Sequence, residues 1–261
     1  PDISFIATAN AVAMLGGTRI SVEDVAPDGL LDPVASEDVV PVHLSGRPAY
    51  GQSWVVEDAC EAFMSKSAGK YLGTIALAGC FSFSPQKLIT TGQGGMVVTN
   101  TEAVYTHVKS LKRQGQTYDV PRGADVHSFS GFNFKFTDLQ AAVGLAQLDS
   151  LGWRIEHTRA RHQQYCERLP RRVKPIQEGG VPLWTELECP DAGMMLKKLH
   201  LRGIEGRRMF QPLHQKVPYQ GDVKLFPNAE HFYQTRLWLP SSLTLTEEQI
   251  DTVCTAVEES L

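Results

Sequence analysis

The sequence predicts an α/β fold: a mostly parallel central sheet flanked by helices over residues 1–150, then a linking helix and a smaller C-terminal α+β domain over residues 151–261. Three observations carry this. Between residues 5 and 100 short β-rich runs alternate with turn residues and helical pattern, as in layered βαβ folds. Two of those runs, at 39–44 and 54–57, are almost continuously apolar, as strands covered on both faces are. Beyond Val173 the elements shorten and are punctuated by Pro212, Pro218, Pro227 and Pro240, which marks a change of domain.

In chain order, residues 7–15 hold good helix formers and stop at Gly16-Gly17, where glycine can take the left-handed cap conformation. Strands follow at 19–25, 39–44, 54–57, 75–83 and 96–99. The second and third runs are separated by residues 45–53, too few for a crossover helix, which with its loops takes at least about 10–12 residues. Either these strands are not parallel neighbours or a helix is missing between them; their apolar character favours the second. Residues 101–114 form a helix burying Val104, Val108 and Leu111, ended by Gly115. Residues 115–132 read as a long surface loop, of the kind that carries function or meets a partner. Thr137-Asp138-Leu139-Gln140 has capping-box spacing and opens an Ala/Leu-rich helix to about Leu151. A basic helix spans 154–168 and Pro170 stops it. A strand at 183–189 and a helix at 191–201 follow. The last helix opens at Thr246-Glu247-Glu248-Gln249 and buries Ile250, Val253 and Val257.

Composition narrows the function. With 42% hydrophobic and 21% charged residues the chain is an ordinary globular protein, and its net charge of −4 comes without a basic stripe, so no nucleic-acid partner is expected. The 5 cysteines lack any C-x-x-C pair, which fits a reducing cytoplasm better than a disulfide framework or zinc knuckle. The histidines are scattered without ligand spacing, so no metal is assigned. No apolar stretch approaches the roughly 20 residues that span a bilayer. Pro1-Asp2-Ile3-Ser4-Phe5 has neither an initiator Met nor a signal-peptide profile, so the chain reads as joining its first domain part-way.

Two segments carry chemistry. In Phe81-Ser82-Phe83-Ser84-Pro85-Gln86-Lys87 an apolar strand runs into a polar turn with a single lysine, followed by the Gly-rich return Thr91-Gly92-Gln93-Gly94-Gly95-Met96. Such a lysine sits at a strand end, where open α/β sheets hold ligands. It is either a solvated loop residue or a Schiff-base lysine, made nucleophilic by losing solvation beside a carbonyl cofactor. In Trp54-Val55-Val56-Glu57-Asp58-Ala59-Cys60-Glu61, carboxylates stand at the end of a buried strand. Asp58 is either a helix N-cap or a carboxylate that keeps a pyridine nitrogen protonated.

Together with Gly131-Phe132-Asn133-Phe134-Lys135-Phe136-Thr137-Asp138-Leu139-Gln140-Ala141-Ala142, these strings resemble the DegT/DnrJ/EryC1/StrS aminotransferases, from the Phe5-Ile6-Ala7-Thr8 segment to Leu239-Pro240-Ser241-Ser242. The resemblance implies a fold-type-I enzyme that uses pyridoxal 5'-phosphate to aminate nucleotide-linked keto-deoxysugars with glutamate as donor, acting as a homodimer with shared active sites. It implies that Lys87 holds the cofactor and moves the proton, that Asp58 pairs with the pyridinium nitrogen, and that Ser82 binds the phosphate. Glu61 would lie near the ring hydroxyl and Phe5 would stack on the ring. Asn133 would reach the phosphate in the neighbouring subunit, and His43 and His214 would stand near the substrate. Arg207-Arg208 could meet a nucleotide diphosphate or be an exposed basic pair. Members that dehydrate the sugar carry His where Lys87 stands. The family's Ser-Gly-Thr phosphate loop and a helix between Gly46 and Trp54 are not found. Gln93 replaces the usual Glu, and Ser84 a frequent His or Tyr. Those missing elements leave a catalytically idle or regulatory cofactor-binding relative as the alternative.

Overall fold

The computed structural model describes residues 1–16, 20–31, 38–51, 54–117, 120–121 and 123–261. Helix α1 (Ile6–Ala13) is followed by coil in which Val25 and Leu31 form a single antiparallel bridge. The sheet that positions the site has three strands, β1 (Val56–Asp58), β4 (Ala78–Ser82) and β5 (Gly95–Thr99), in the order β1-β4-β5. Between the first two lies a small hairpin, β2 (Lys66–Ser67) and β3 (Lys70–Tyr71). β1 and β4 are parallel with Asp58 opposite Cys80, whereas β4 and β5 are antiparallel with Phe81 opposite Met96. On the free side of β1, Val42 forms a parallel bridge with Asp58.

That bridge answers the question raised by the short connection. The two runs are parallel neighbours, and among the described residues no α-helix joins them; a single 3-10 turn at Leu44–Gly46 leads into coil over 47–51. Of the expected strand at 39–44 only Val42 is paired. The expected strand at 19–25 is not formed over its described residues, and Arg19 lies outside them. Its Val22 and Val25 are apolar because they pack with Ile3, Leu30 and Leu44, not because they sit in a ladder. The run 75–83 pairs only from Ala78, because the Ile75 and Ala76 N–H groups donate to the Glu57 carboxylate and so leave the ladder.

Helices α2 (Glu102–Leu111) and α3 (Asp138–Leu148) complete this half, and the capping box at Thr137 and Gln140 forms as the sequence predicts. Between them the chain doubles back, with Gln116 bridged to His127 and Arg113 to Asn133. None of the residues of α3 is buried, and Leu139 and Leu145 are 82% and 64% exposed. The helix is tied down by two side chains: Gln140 donates to the Gln93 carbonyl at 2.8 Å, and Gln147 donates to the Thr90 carbonyl at 2.6 Å.

The second half runs through α4 (Leu151–Arg168), β6 (Glu186–Glu188), α5 (Ala192–His200), β7 (Arg207–Arg208), α6 (Pro227–Thr235), β8 (Arg236–Trp238) and α7 (Glu247–Glu258). Its sheet is antiparallel, in the order β6-β8-β7. Tyr165, Leu169, Leu187, Leu199, Leu237, Ile250 and Val257 form its core, drawing one face from each of α4, α5 and α7. A second core joins Ile3, Val25 and Leu44 to Met209, Phe226, Phe232 and Trp238, and so packs the N-terminal segment on the second half of the chain. No helix among the described residues is long and apolar enough to cross a membrane.

Candidate active site

The parallel pair β1 and β4 ends with Asp58 on one strand and Ser82 on the other, at the carboxyl edge where open α/β sheets present their ligands. Asp58 caps no helix. Its Oδ1 accepts the Cys60 N–H at 3.1 Å and its Oδ2 accepts the Thr8 hydroxyl at 2.6 Å, so a residue of α1 fixes the carboxylate's orientation. The Ser82 hydroxyl donates to Ser84 Oγ at 3.2 Å and accepts the Ser84 N–H at 3.3 Å, closing a tight turn before the lysine.

Lys87 is not a freely solvated loop residue. Its side chain is 16% exposed and its Nζ lies 3.8 Å from Glu61 Oε1. The Glu61 carboxylate is buried and bonded on both oxygens: Oε2 accepts the Ser45 N–H at 3.0 Å, and Oε1 accepts the Trp184 Nε1–H at 3.3 Å. Burial pushes the Glu61 carboxyl above its ordinary value, against the pull of Lys87, while the like charge of Asp58 adds to the rise. Asp58, Glu61 and Lys87 therefore form one electrostatic group. Ser45 reaches Glu61 by adopting a left-handed backbone, φ 53°, uncommon for a residue with a side chain. Gly46 continues the turn at φ 85°, and a Cβ there would stand 2.1 Å from the Val181 carbonyl oxygen, so only glycine fits.

Phe5 is 55% exposed and tilts against Phe210 with ring centroids 5.6 Å apart. Phe210 meets Trp238 edge-on at 4.9 Å, and Trp238 stacks on Trp184 at 5.5 Å. An aromatic wall thus runs from Phe5 through Phe210 and Trp238 to the Trp184 indole that holds Glu61. Among the remaining expected residues, Asn133 is exposed and lies against Arg113 in the folded-back segment. His43 is fully buried: its Nδ1 accepts the Ala49 N–H at 3.0 Å, so its Nε2–H donates to Glu57 at 2.8 Å. His214 spans Asp2 and Glu230 at 2.6 and 2.9 Å and stacks on Phe226. Both ring nitrogens of each histidine are engaged by protein groups. Arg207 donates to the Gln86 side chain at 2.9 Å, whereas Arg208 turns to the Tyr233 carbonyl.

Sequence reasoning missed Thr8, Ser45 and Trp184, and it gave Glu57 no role. Glu57 is fully buried and accepts the N–H groups of Gly73, Ile75 and Ala76 as well as the His43 ring. The signal was a carboxylate inside an apolar run, which must find donors.

A half-buried lysine beside a carboxylate at the carboxyl edge of an α/β sheet, with a second carboxylate fixed nearby, defines an enzyme site built around an amine. The family model of the DegT/DnrJ/EryC1/StrS aminotransferases matches residues 1–258, and the chain belongs to that family of enzymes. A GDP-perosamine synthase of Caulobacter vibrioides is 32% identical over 298 residues, covering 100% of this chain and 78% of the relative. An alignment longer than the 261-residue chain means that this relative has internal residues for which the chain has no counterpart. Among solved structures, Helicobacter pylori PseC, an aminotransferase involved in pseudoaminic acid biosynthesis, superposes with a TM-score of 0.88 at 25% identity, covering 99% of this chain and 78% of its own. DesV of S. venezuelae, solved in complex with a ketimine intermediate, has a TM-score of 0.88 at 26% identity, covering 99% and 76%.

Proposed function

We propose that this enzyme transfers the amino group of glutamate to a keto carbon of a nucleotide-linked deoxysugar, using pyridoxal 5'-phosphate. The observation that carries the reading is Lys87, withdrawn from solvent beside Glu61 with the restrained Asp58 carboxylate in the same group. The donor set fits the cofactor: an amine for its carbonyl, a carboxylate for its ring nitrogen, the Ser82 and Ser84 hydroxyls for its phosphate, and the exposed Phe5 ring for its face. When bound, the cofactor supplies an electron sink for cleavage of a C–H bond.

Lys87 Nζ would anchor the cofactor covalently and, once released, take and return the proton at the reacting carbon. Asp58 would hold the proton on the ring nitrogen, and the Thr8 hydroxyl and Cys60 N–H keep its oxygens aimed without reorganisation. Glu61 would lie near the ring hydroxyl, its carboxyl fixed by Ser45 and Trp184. The wall of Phe5, Phe210, Trp238 and Trp184 would exclude water from the reacting atoms. A lysine at position 87, where dehydrating members carry His, supports amination over dehydration. The GDP-perosamine synthase and DesV likenesses support the sugar substrate.

Two copies would complete the site. Phe132, Phe134 and Phe136 are exposed, α3 presents Leu139 and Leu145 outward, and a groove of about 940 Å³ runs between β5, α2 and Phe134. Exposed apolar area of this kind marks an interface, and a second chain covering it would place Asn133 near the cofactor phosphate of its neighbour. The decisive experiment incubates the cofactor-loaded enzyme with glutamate and a panel of nucleotide-linked 3-keto and 4-keto sugars, with products read by mass spectrometry. An aminated sugar is expected; a bound cofactor without any product would favour the idle relative.

A further inference from the structure

Two adjacent arginines on β7 face different surroundings. Arg208 lies 4.1 Å from the centre of the Tyr233 ring and donates to the Tyr233 carbonyl at 2.9 Å. Arg207 is exposed, and its Nη1 donates at 2.9 Å to the side-chain oxygen of Gln86, the residue before Lys87. Its guanidinium stands 5.7 Å from the centre of the Trp238 ring, within the aromatic wall of the site. The second half of the chain thereby sets a cation beside the turn that carries Lys87.

The arginines divide by their partners, and Arg154, Arg159, Arg161 and Arg208 donate to backbone carbonyls. Arg47, Arg168, Arg202 and Arg236 are each paired with a carboxylate: Glu186, Asp251, Glu259 and Glu188. Among the described residues the contacts of Arg207 are neutral, a carboxamide and an indole. A guanidinium carries five donors in a planar fork, and one neutral bond to Gln86 leaves most of them available. Bonds from such a fork to an oxyanion are roughly twice as strong as neutral ones, so an arriving carboxylate or phosphate would displace the amide.

We propose that Arg207 is the receptor for a substrate oxyanion, exchanging its contact with Gln86 for a forked pair with the anion, while Arg208 takes no part. The proposal rests on the aminotransferase reading. Two substrates of that reaction carry an oxyanion, the amino-acid donor in its carboxylates and the nucleotide sugar in its diphosphate. The guanidinium fork suits either, and separate measurements assign the source.

The test uses the full-length, cofactor-loaded enzyme as wild type, Arg207→Ala and Arg207→Lys, with circular dichroism as the check on folding. Binding is read from tryptophan fluorescence, to which the Trp238 contact gives access, with inorganic pyrophosphate and glutarate as probes. The two half-reactions are read separately from the cofactor absorbance. Wild type is expected to bind at least one probe, and Arg207→Ala to bind it about 10- to 100-fold more weakly, the range for a hydrogen bond to a charged group. Arg207→Lys should recover part of the loss, since it restores charge without the fork. The matching half-reaction should show a raised KM with kcat little changed. Loss confined to pyrophosphate assigns the diphosphate, loss confined to glutarate assigns the donor carboxylate, and loss of both assigns a shared receptor. Wild type binding neither probe, or Arg207→Ala binding both as wild type does with both half-reactions unaltered, overturns the proposal. If wild type shows no half-reaction at all, the aminotransferase reading fails, while the anion titration still judges Arg207.

Discussion

Asp58 and Lys87 differ in what replaces them when they are removed. Among the described residues Lys87 is the amine paired with Glu61, and it lies in a turn outside the hydrophobic cores. Lys87→Ala should therefore keep the thermal midpoint of wild type, fail to retain cofactor through dialysis, and lose about 100- to 10,000-fold in turnover, the range for a general acid–base group. Asp58→Asn keeps an acceptor oxygen for the Cys60 N–H and turns an amide N–H toward the Thr8 hydroxyl oxygen, but loses the charge. A neighbouring charge moves a ring pKa by about 1–3 units, so the rate should fall about 10- to 1,000-fold while cofactor absorbance persists; unchanged kinetics would reduce Asp58 to a turn residue. At Glu57 burial alone would raise the pKa, yet the His43 bond and the Ala76 and Gly73 N–H groups hold it below the ordinary carboxylate value. Its contribution to stability is thus present above about pH 4.5 and lost as pH falls through the lower folded value. Pattern alone left Lys87 and Asp58 open between structure and chemistry, and the family resemblance singled them out together with Glu61, which the fold brings beside Lys87. Trp184 was not legible in the sequence, because it reaches Glu61 across 123 positions of chain. Ser45 gave no warning either, since serine carries no mark of a left-handed backbone.

Elements were legible where two signals agreed. A capping box and Ala/Leu-rich composition announced α3, a capping box and apolar spacing announced α7, and both caps form. Where only apolar content spoke, as at 19–25 and 39–44, burial against a core could not be told from pairing in a sheet. The hairpin of β2 and β3 went unseen because Ala68 takes a left-handed conformation, φ 47°, that an Asn would have advertised. The junction of α4 with β6 supports a prediction of its own. His162 is buried between Thr185 and the Lys174 carbonyl, and burial lowers its pKa from 6.5 to about 4. The folded protein keeps this ring neutral at pH values where the unfolded chain protonates it. The stability it contributes is full above pH 6.5 and drains away as pH falls toward 4. Urea midpoints measured across that window should decline in wild type, and less steeply in His162→Gln.

At the scale of the molecule, the two halves meet through a shared apolar core and through directional polar contacts. Arg47 donates two bonds to Glu186, at 2.9 and 3.1 Å, and a third to the Asp28 carbonyl at 2.9 Å. Arg47→Ala strands a mostly buried carboxylate and should lower unfolding free energy by about 1–3 kcal/mol, read from urea denaturation. It should also slow turnover, because the same loop carries the Ser45 N–H that fixes Glu61. The proposed two-fold assembly predicts that Asn133→Ala binds cofactor more weakly with its subunit fold intact, and that sedimentation finds dimers; a fully active monomer would rule the assembly out. Helix α3 carries a consequence for kinetics. A helix with no buried residue has almost nothing of its own to resist fraying, since helical stability comes mainly from packing an apolar face. Its backbone amides should trade hydrogen for deuterium quickly at nanomolar protein and slowly at high concentration, while those of α7 hold the same rate throughout. The protection of a single helix would then serve as a local gauge of the population of paired chains.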